Sequence, residues 1–111
     1  MRSGGGLDAM NDDVPDNVAY PTQTVLRRVT ITNTRGLHAR AAAKFATTAG
    51  NFDADVQVTR NEQTVSALSI MGLMMLAAAP GCHIDLSATG PEAGAAIDAL
   101  STLVDDKFQE D

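Results

Sequence analysis

The chain has 111 residues, 44% of them hydrophobic, which is enough for one domain around one core and too little for two ordinary domains. Its formal charge of −6 argues against nucleic acid as a partner, because phosphate-backbone binding is driven mainly by Lys and Arg releasing counterions. No apolar run approaches the roughly 18 to 20 residues that cross a bilayer, and the N-terminus lacks a basic-then-apolar leader, so a cytoplasmic protein with no membrane partner is expected.

Residues 1–23, "MRSGGGLDAMNDDVPDNVAYPTQ", combine a Gly run, prolines and aspartates with little apolar periodicity and are expected to form a flexible extension. The folded domain is expected over residues 24–111. It opens with "VLRRVTIT", where Val25, Val29 and Ile31 share one parity and Arg28, Thr30 and Thr32 the other, the pattern of a half-buried strand. "NTRG" is turn chemistry, and "HARAAAKFATTAG" predicts a helix ending near Ala49 and Gly50. "ADVQVTR" and "QTVSA" alternate on either side of "NE" and predict a hairpin. "LSIMGLMMLAAAPG" predicts a short second helix from about Ser69 to Ala78, stopped by Pro-Gly.

In "HIDLSAT", Ile84, Leu86 and Ala88 face one way and His83, Asp85, Ser87 and Thr89 the other, a fourth strand with one wet face. The last segment sets Pro91 in a first helical turn and Glu92 near its positive end, after which Ile97, Leu100, Val104 and Phe108 recur at helical spacing. The order is βαββαβα. Strands with one apolar parity need cover on one face only, so the predicted fold is α+β: a two-layer, open-faced sandwich with three helices over a four-stranded antiparallel sheet.

The chemistry concentrates at "GLHAR". If the first helix begins just after His38, the ring is its N-cap, beside backbone N–H groups with no carbonyl partner inside the helix. That positive end favours a neutral imidazole with a nitrogen lone pair free to attack phosphorus. The same backbone, at Ala39 and Arg40, can then hold the phosphoryl oxygens, and the Arg40 side chain can add a charge-assisted contact. No metal or cofactor is required. The competing reading of these five residues is an ordinary capping histidine beside a surface arginine. The stretch from Asn17 to Phe52 holds Arg27, Arg28, Arg35, Arg40 and Lys44 but no Asp or Glu, which predicts a cationic patch around His38.

"GLHAR" after a first strand, "SIMGLMML" on a second helix and "ATGPEAGAAIDAL" entering a third together resemble the HPr family, the histidine phosphocarriers of the bacterial phosphotransferase system. The ending "KFQED" resembles the nitrogen-related branch of that family. The resemblance spans Val25 to the C-terminus and implies an HPr-like fold. It also implies that His38 accepts a phosphoryl group at Nδ1 from enzyme I and passes it to an EIIA-type protein, with Arg40 accompanying it. Ser69 matches a serine that an HPr kinase/phosphorylase modifies in some members; a phosphate there would present about two negative charges to a docking partner, while the plain alternative is a serine cap. The family motif continues with proline where this chain has Ala41, which restores an N–H and frees φ.

By the same resemblance, Ile70, Met71, Met74 and Met75 lie on or near an apolar docking helix, with Ala43 and Thr47 of the first helix completing the patch. Met suits a surface that must fit several partners. At helical spacing the four are not all expected to face outward, and Met71 and Met74 are favoured for contact. His83 reads as a solvated strand residue, Arg35 as a solvent-facing turn residue, and Cys82, the only cysteine, as a plain small residue in a reducing compartment. The leading expectation is a monomeric phosphocarrier that works only with partner enzymes. Its rival is a non-catalytic α+β binding module that regulates a partner protein. A self-sufficient transferase or hydrolase would need a second positioned base or a nucleotide loop that these motifs lack, and a four-helix phosphotransfer domain would need its histidine in mid-helix.

Overall fold

The computed structural model describes residues 24–110; the expected extension, residues 1–23, lies outside the described residues. Among the described residues four strands and three helices follow in the predicted order: β1 (Thr24–Thr30), α1 (Ala39–Ala49), β2 (Asp55–Arg60), β3 (Gln63–Ser66), α2 (Ile70–Met75), β4 (His83–Thr89) and α3 (Ala93–Asp105), with a closing left-handed turn at Lys107–Gln109. The sheet order is β1-β4-β2-β3, every pair antiparallel.

The register aligns the apolar parities, pairing Val29 with Ile84 and Val58 with Leu86. A one-residue slip would turn those side chains to solvent. They pack against Phe45 of α1, Leu73 of α2 and Ile97, Leu100 and Val104 of α3, all buried. The opposite face carries Arg28, Thr30, Thr59, His83 and Asp85, the wet side that the alternation predicts.

Three expectations need correction. Arg27 shares the parity of Val29 and so leans toward α3, where its guanidinium meets Asp98 at 3.0 Å and Ser101 at 3.3 Å. Arg28 lies on the open face, bound to both carboxylate oxygens of Asp85 at 2.8 and 3.2 Å, and its hydrogen bond holds the Asp85 carboxyl below the usual carboxylate range. Neither arginine therefore belongs to a patch around His38, and both pairs are too exposed to add much stability.

Second, α2 stops at Met75 rather than Ala78. Ala77 takes a left-handed φ of 53°, and the Ala78 carbonyl is turned to accept the Leu37 N–H at 2.9 Å, so this backbone braces the loop before α1 instead of prolonging a helix. Third, α3 starts at Ala93 and ends at Asp105, leaving Pro91 and Phe108 outside it. Glu92 makes no side-chain cap; its carboxylate accepts the Asp53 N–H. Phe108 is buried as its spacing predicts, but it reaches the core through a turn in which Lys107, Phe108 and Gln109 have φ of 54°, 55° and 63°.

The β2–β3 hairpin turns through Asn61 and Glu62, with φ of 51° and 66°. Both values belong to a two-residue type I′ turn, for which Asn-Gly is preferred. Glu62→Gly is expected to raise stability by about 1 kcal/mol, a melting rise of about 4 to 8 °C by calorimetry, because glycine removes the left-handed penalty.

Candidate functional site

His38 is the N-cap of α1, with extended backbone (φ −77°, ψ 180°). Its carbonyl accepts the first helical bond, from Ala42 N–H at 2.8 Å, so the N–H groups of Ala39, Arg40 and Ala41 have no carbonyl partner one turn back. The Arg40 N–H instead points at the ring, donating to His38 Nδ1 at 3.3 Å. His38 thus stands at the start of the first helix, the position expected from the glycine-led turn and alanine-rich run around it.

The other ring nitrogen holds the feature that sequence reasoning missed. His38 Nε2 lies 2.6 Å from Glu110 Oε2, and each of the two side chains is only 15% exposed. One nitrogen faces an N–H donor and the other a carboxylate, so the partners assign the proton to Nε2 and leave the Nδ1 lone pair free. Electrostatically the ring sits between the positive helix end and a carboxylate.

The loop that carries His38 is fixed from below. Gly36 has φ of 65°, and a Cβ there would overlap the Ala78 carbonyl oxygen, so both conformation and close approach require glycine. Asn33 is fully buried and donates through Nδ2 to the Gly36 carbonyl at 2.8 Å and to Glu110 Oε1 at 3.3 Å. Lys44 of α1 donates to the Phe108 carbonyl at 2.7 Å, tying the closing turn to the same helix.

Beside the ring opens a cleft of about 480 Å³ lined by Thr34, Arg35, Arg40, Lys44, Gln109 and Glu110. The cationic patch is therefore Arg35, Arg40 and Lys44 without Arg27 and Arg28, and Arg35, set aside on sequence grounds, contributes to it. Arg40 is exposed, and Ala41, the residue at the family's proline position, is fully buried.

Ser69 caps α2, its Oγ accepting the Gly72 N–H at 3.0 Å. On α2 the expectation that some of the apolar residues face inward fails: Ile70, Met71, Met74 and Met75 are all exposed, Met71 and Met75 most of all at 70% and 65%. A six-residue helix has few inward positions, and Leu73 with the C-cap Leu76 fills them. Leu68, just before the helix, adds to this apolar surface. Ala43 and Thr47 line a groove of about 320 Å³ between α1 and α3, with Arg40, Lys44 and Leu103 among its walls.

His83 is exposed on the open face, bonded to Thr30 Oγ1 at 2.9 Å. Cys82 is half-buried and receives the Arg60 guanidinium at 3.3 Å; a backbone hydrogen bond from Ala79, then Arg60, holds its thiol below the ordinary value. Among the described residues no helix is long and apolar enough to cross a membrane.

A family model described as the phosphorylation site of the HPr component of the phosphotransferase system matches residues 25–106. Phosphocarrier protein NPr of Shewanella violacea is 49% identical over 84 residues, covering 76% of this chain and 92% of that protein. Phosphocarrier protein HPr of Cupriavidus necator is likewise 49% identical over 84 residues, with 76% and 94% covered. Among solved structures, an HPr from Thermoanaerobacter tengcongensis superimposes with a TM-score of 0.75 at 40% identity, covering 78% of this chain and 98% of that one.

Proposed function

The chain belongs to the HPr family of phosphotransferase-system phosphocarriers, and from that premise we propose that His38 is its phosphoryl acceptor, loaded by enzyme I and unloaded to an EIIA-type protein. The observation that carries this reading is the pair of contacts on the ring: Nδ1 directed at the helix N-terminus, Nε2 held by Glu110. In the loading step the Nδ1 lone pair bonds to phosphorus as the bond from phosphorus to the donor breaks. The donor keeps that electron pair, and the Nε2 proton stays in place. The Arg40 N–H then turns from the ring nitrogen to a phosphoryl oxygen, joined by the unpartnered N–H of Ala39 and by the Arg40 guanidinium. Onward transfer runs in reverse, an acceptor nucleophile taking phosphorus while the N–P electrons return to Nδ1.

Arg35 and Lys44 extend the positive field to the partner's side of the cleft, which favours acidic partner surfaces and fast encounter. The exposed side chains of Ile70, Met71, Met74 and Met75 supply an apolar docking surface that can repack for more than one partner; Ala43 and Thr47 extend it along α1. The NPr relative supports the nitrogen-related branch. Ser69, as a cap whose oxygen already bonds the first turn of α2, is the proposed point of control by a kinase, where a dianion beside the apolar surface would weaken docking.

The test is incubation with enzyme I, magnesium and phosphoenolpyruvate, followed by intact mass and peptide mapping. A gain of one acid-labile phosphate on His38, lost again on adding an EIIA protein, is the expected result. A mass that does not change would leave the regulatory binding module as the better reading.

A further inference from the structure

We propose that Glu110 is a positioning residue that decides which imidazole nitrogen of His38 takes the phosphoryl group; the inference rests on His38 being the acceptor. A free imidazole offers two nitrogens, and either can be phosphorylated. Here Glu110 Oε2 lies 2.6 Å from Nε2, a short charge-assisted contact, whereas the Arg40 N–H reaches Nδ1 at 3.3 Å. The stronger of the two constraints on the proton is therefore the carboxylate. It keeps Nε2 protonated and sterically covered, and its charge repels an incoming phosphoryl dianion from that edge of the ring.

The surroundings are built to present this carboxylate. Lys107, Phe108 and Gln109 form three successive left-handed residues (φ 54°, 55° and 63°) with no glycine among them, a conformation that L-residues rarely adopt in series. Buried Phe108 and its carbonyl bond from Lys44 at 2.7 Å hold the turn. Asn33, itself fully buried, fixes the second oxygen of Glu110 at 3.3 Å. An unconstrained tail would relax this backbone; the observed one delivers Glu110 to His38 across 72 positions of sequence.

Two readouts test the proposal without any partner protein, using the full chain with ¹⁵N-labelled histidine. The first is the imidazole ¹⁵N spectrum of the neutral ring, which reports the ratio of Nε2–H to Nδ1–H tautomers. The second is the position of phosphate after treatment with phosphoramidate, whose P–N bond breaks as ammonia leaves with the electron pair. The wild-type chain is expected to show the Nε2–H form and phosphate on Nδ1. In Glu110→Ala the tautomer ratio falls by about fivefold or more, and phosphate appears on Nε2. Glu110→Gln, whose amide oxygen still accepts from Nε2–H, restores the wild-type pattern in both measurements.

A role confined to anchoring the tail would lower the melting temperature without moving phosphate between nitrogens. The proposal is overturned if Glu110→Ala keeps the wild-type tautomer ratio, and the ring spectrum alone decides should the reagent fail to react. Absence of loading by enzyme I would refute the carrier reading while leaving both of these readouts intact.

Discussion

His38→Asn is expected to give a folded protein that takes up no phosphate from enzyme I and phosphoenolpyruvate, against one phosphate per chain for the parent. Asparagine is among the best N-cap residues, so its side-chain oxygen can accept a first-turn N–H in place of Nδ1. Its amide nitrogen, conjugated with the carbonyl, has no lone pair to offer phosphorus. The substitution therefore separates the two roles that His38 combines at the start of α1. The cost to stability is the lost contact with Glu110, about 1 to 2 kcal/mol or a melting decrease of about 5 to 15 °C, since Glu110 keeps its bond from Asn33. His38→Ala would lose about 1 kcal/mol more by removing the cap as well. Mass spectrometry and a thermal melt on the same samples check both halves. Were His38 only a cap, His38→Asn would retain whatever action the chain has on its partner.

The strands were legible because burial on one face writes itself into alternation: Val29, Ile84 and Leu86 all fall where parity puts them. The position of His38 was legible because a turn ending in Gly36 meets an alanine-rich run, a local signal for a helix start. Arg27 shows where parity fails, since an apolar-side position at the rim of the sheet can hold a cation when a neighbouring helix supplies Asp98. The methionines of α2 show the same for composition. Apolar residues at helical spacing imply core, but in a helix of six residues Leu73 and Leu76 fill the inward positions and leave the methionines outside.

Glu110 was not legible at all. Its contact with His38 depends on a left-handed turn at Lys107, Phe108 and Gln109, and those residue types give no hint of positive φ. The spacing of Phe108 revealed its burial and, for the same reason, suggested a helix that the chain does not form. Tertiary anchoring by Lys44 and Asn33 sets this segment, and such anchoring has no local signature.

The second large effect falls on Gly36. Its φ of 65° costs an L-residue about 1 to 2 kcal/mol, and a Cβ there would overlap the Ala78 carbonyl oxygen while lying 3.1 Å from the Ala79 Cα. Both neighbours are backbone, so neither can swing aside, and overpacking of this kind adds about 1 to 3 kcal/mol. The carbonyl that would have to retreat is the one that accepts Leu37 N–H at 2.9 Å, immediately before His38. Gly36→Ala is therefore expected to lose about 3 kcal/mol, or about 12 to 24 °C of melting temperature, and to slow phosphoryl uptake even at temperatures where the chain stays folded, because the loop presenting the ring is displaced. Gly81 provides the control: its φ is 92°, yet a Cβ there meets nothing within 4 Å, so Gly81→Ala should bear the backbone penalty alone. A Gly36→Ala protein that melts and accepts phosphate like Gly81→Ala would show that the approach of the loop to Ala78 does not hold His38 in place.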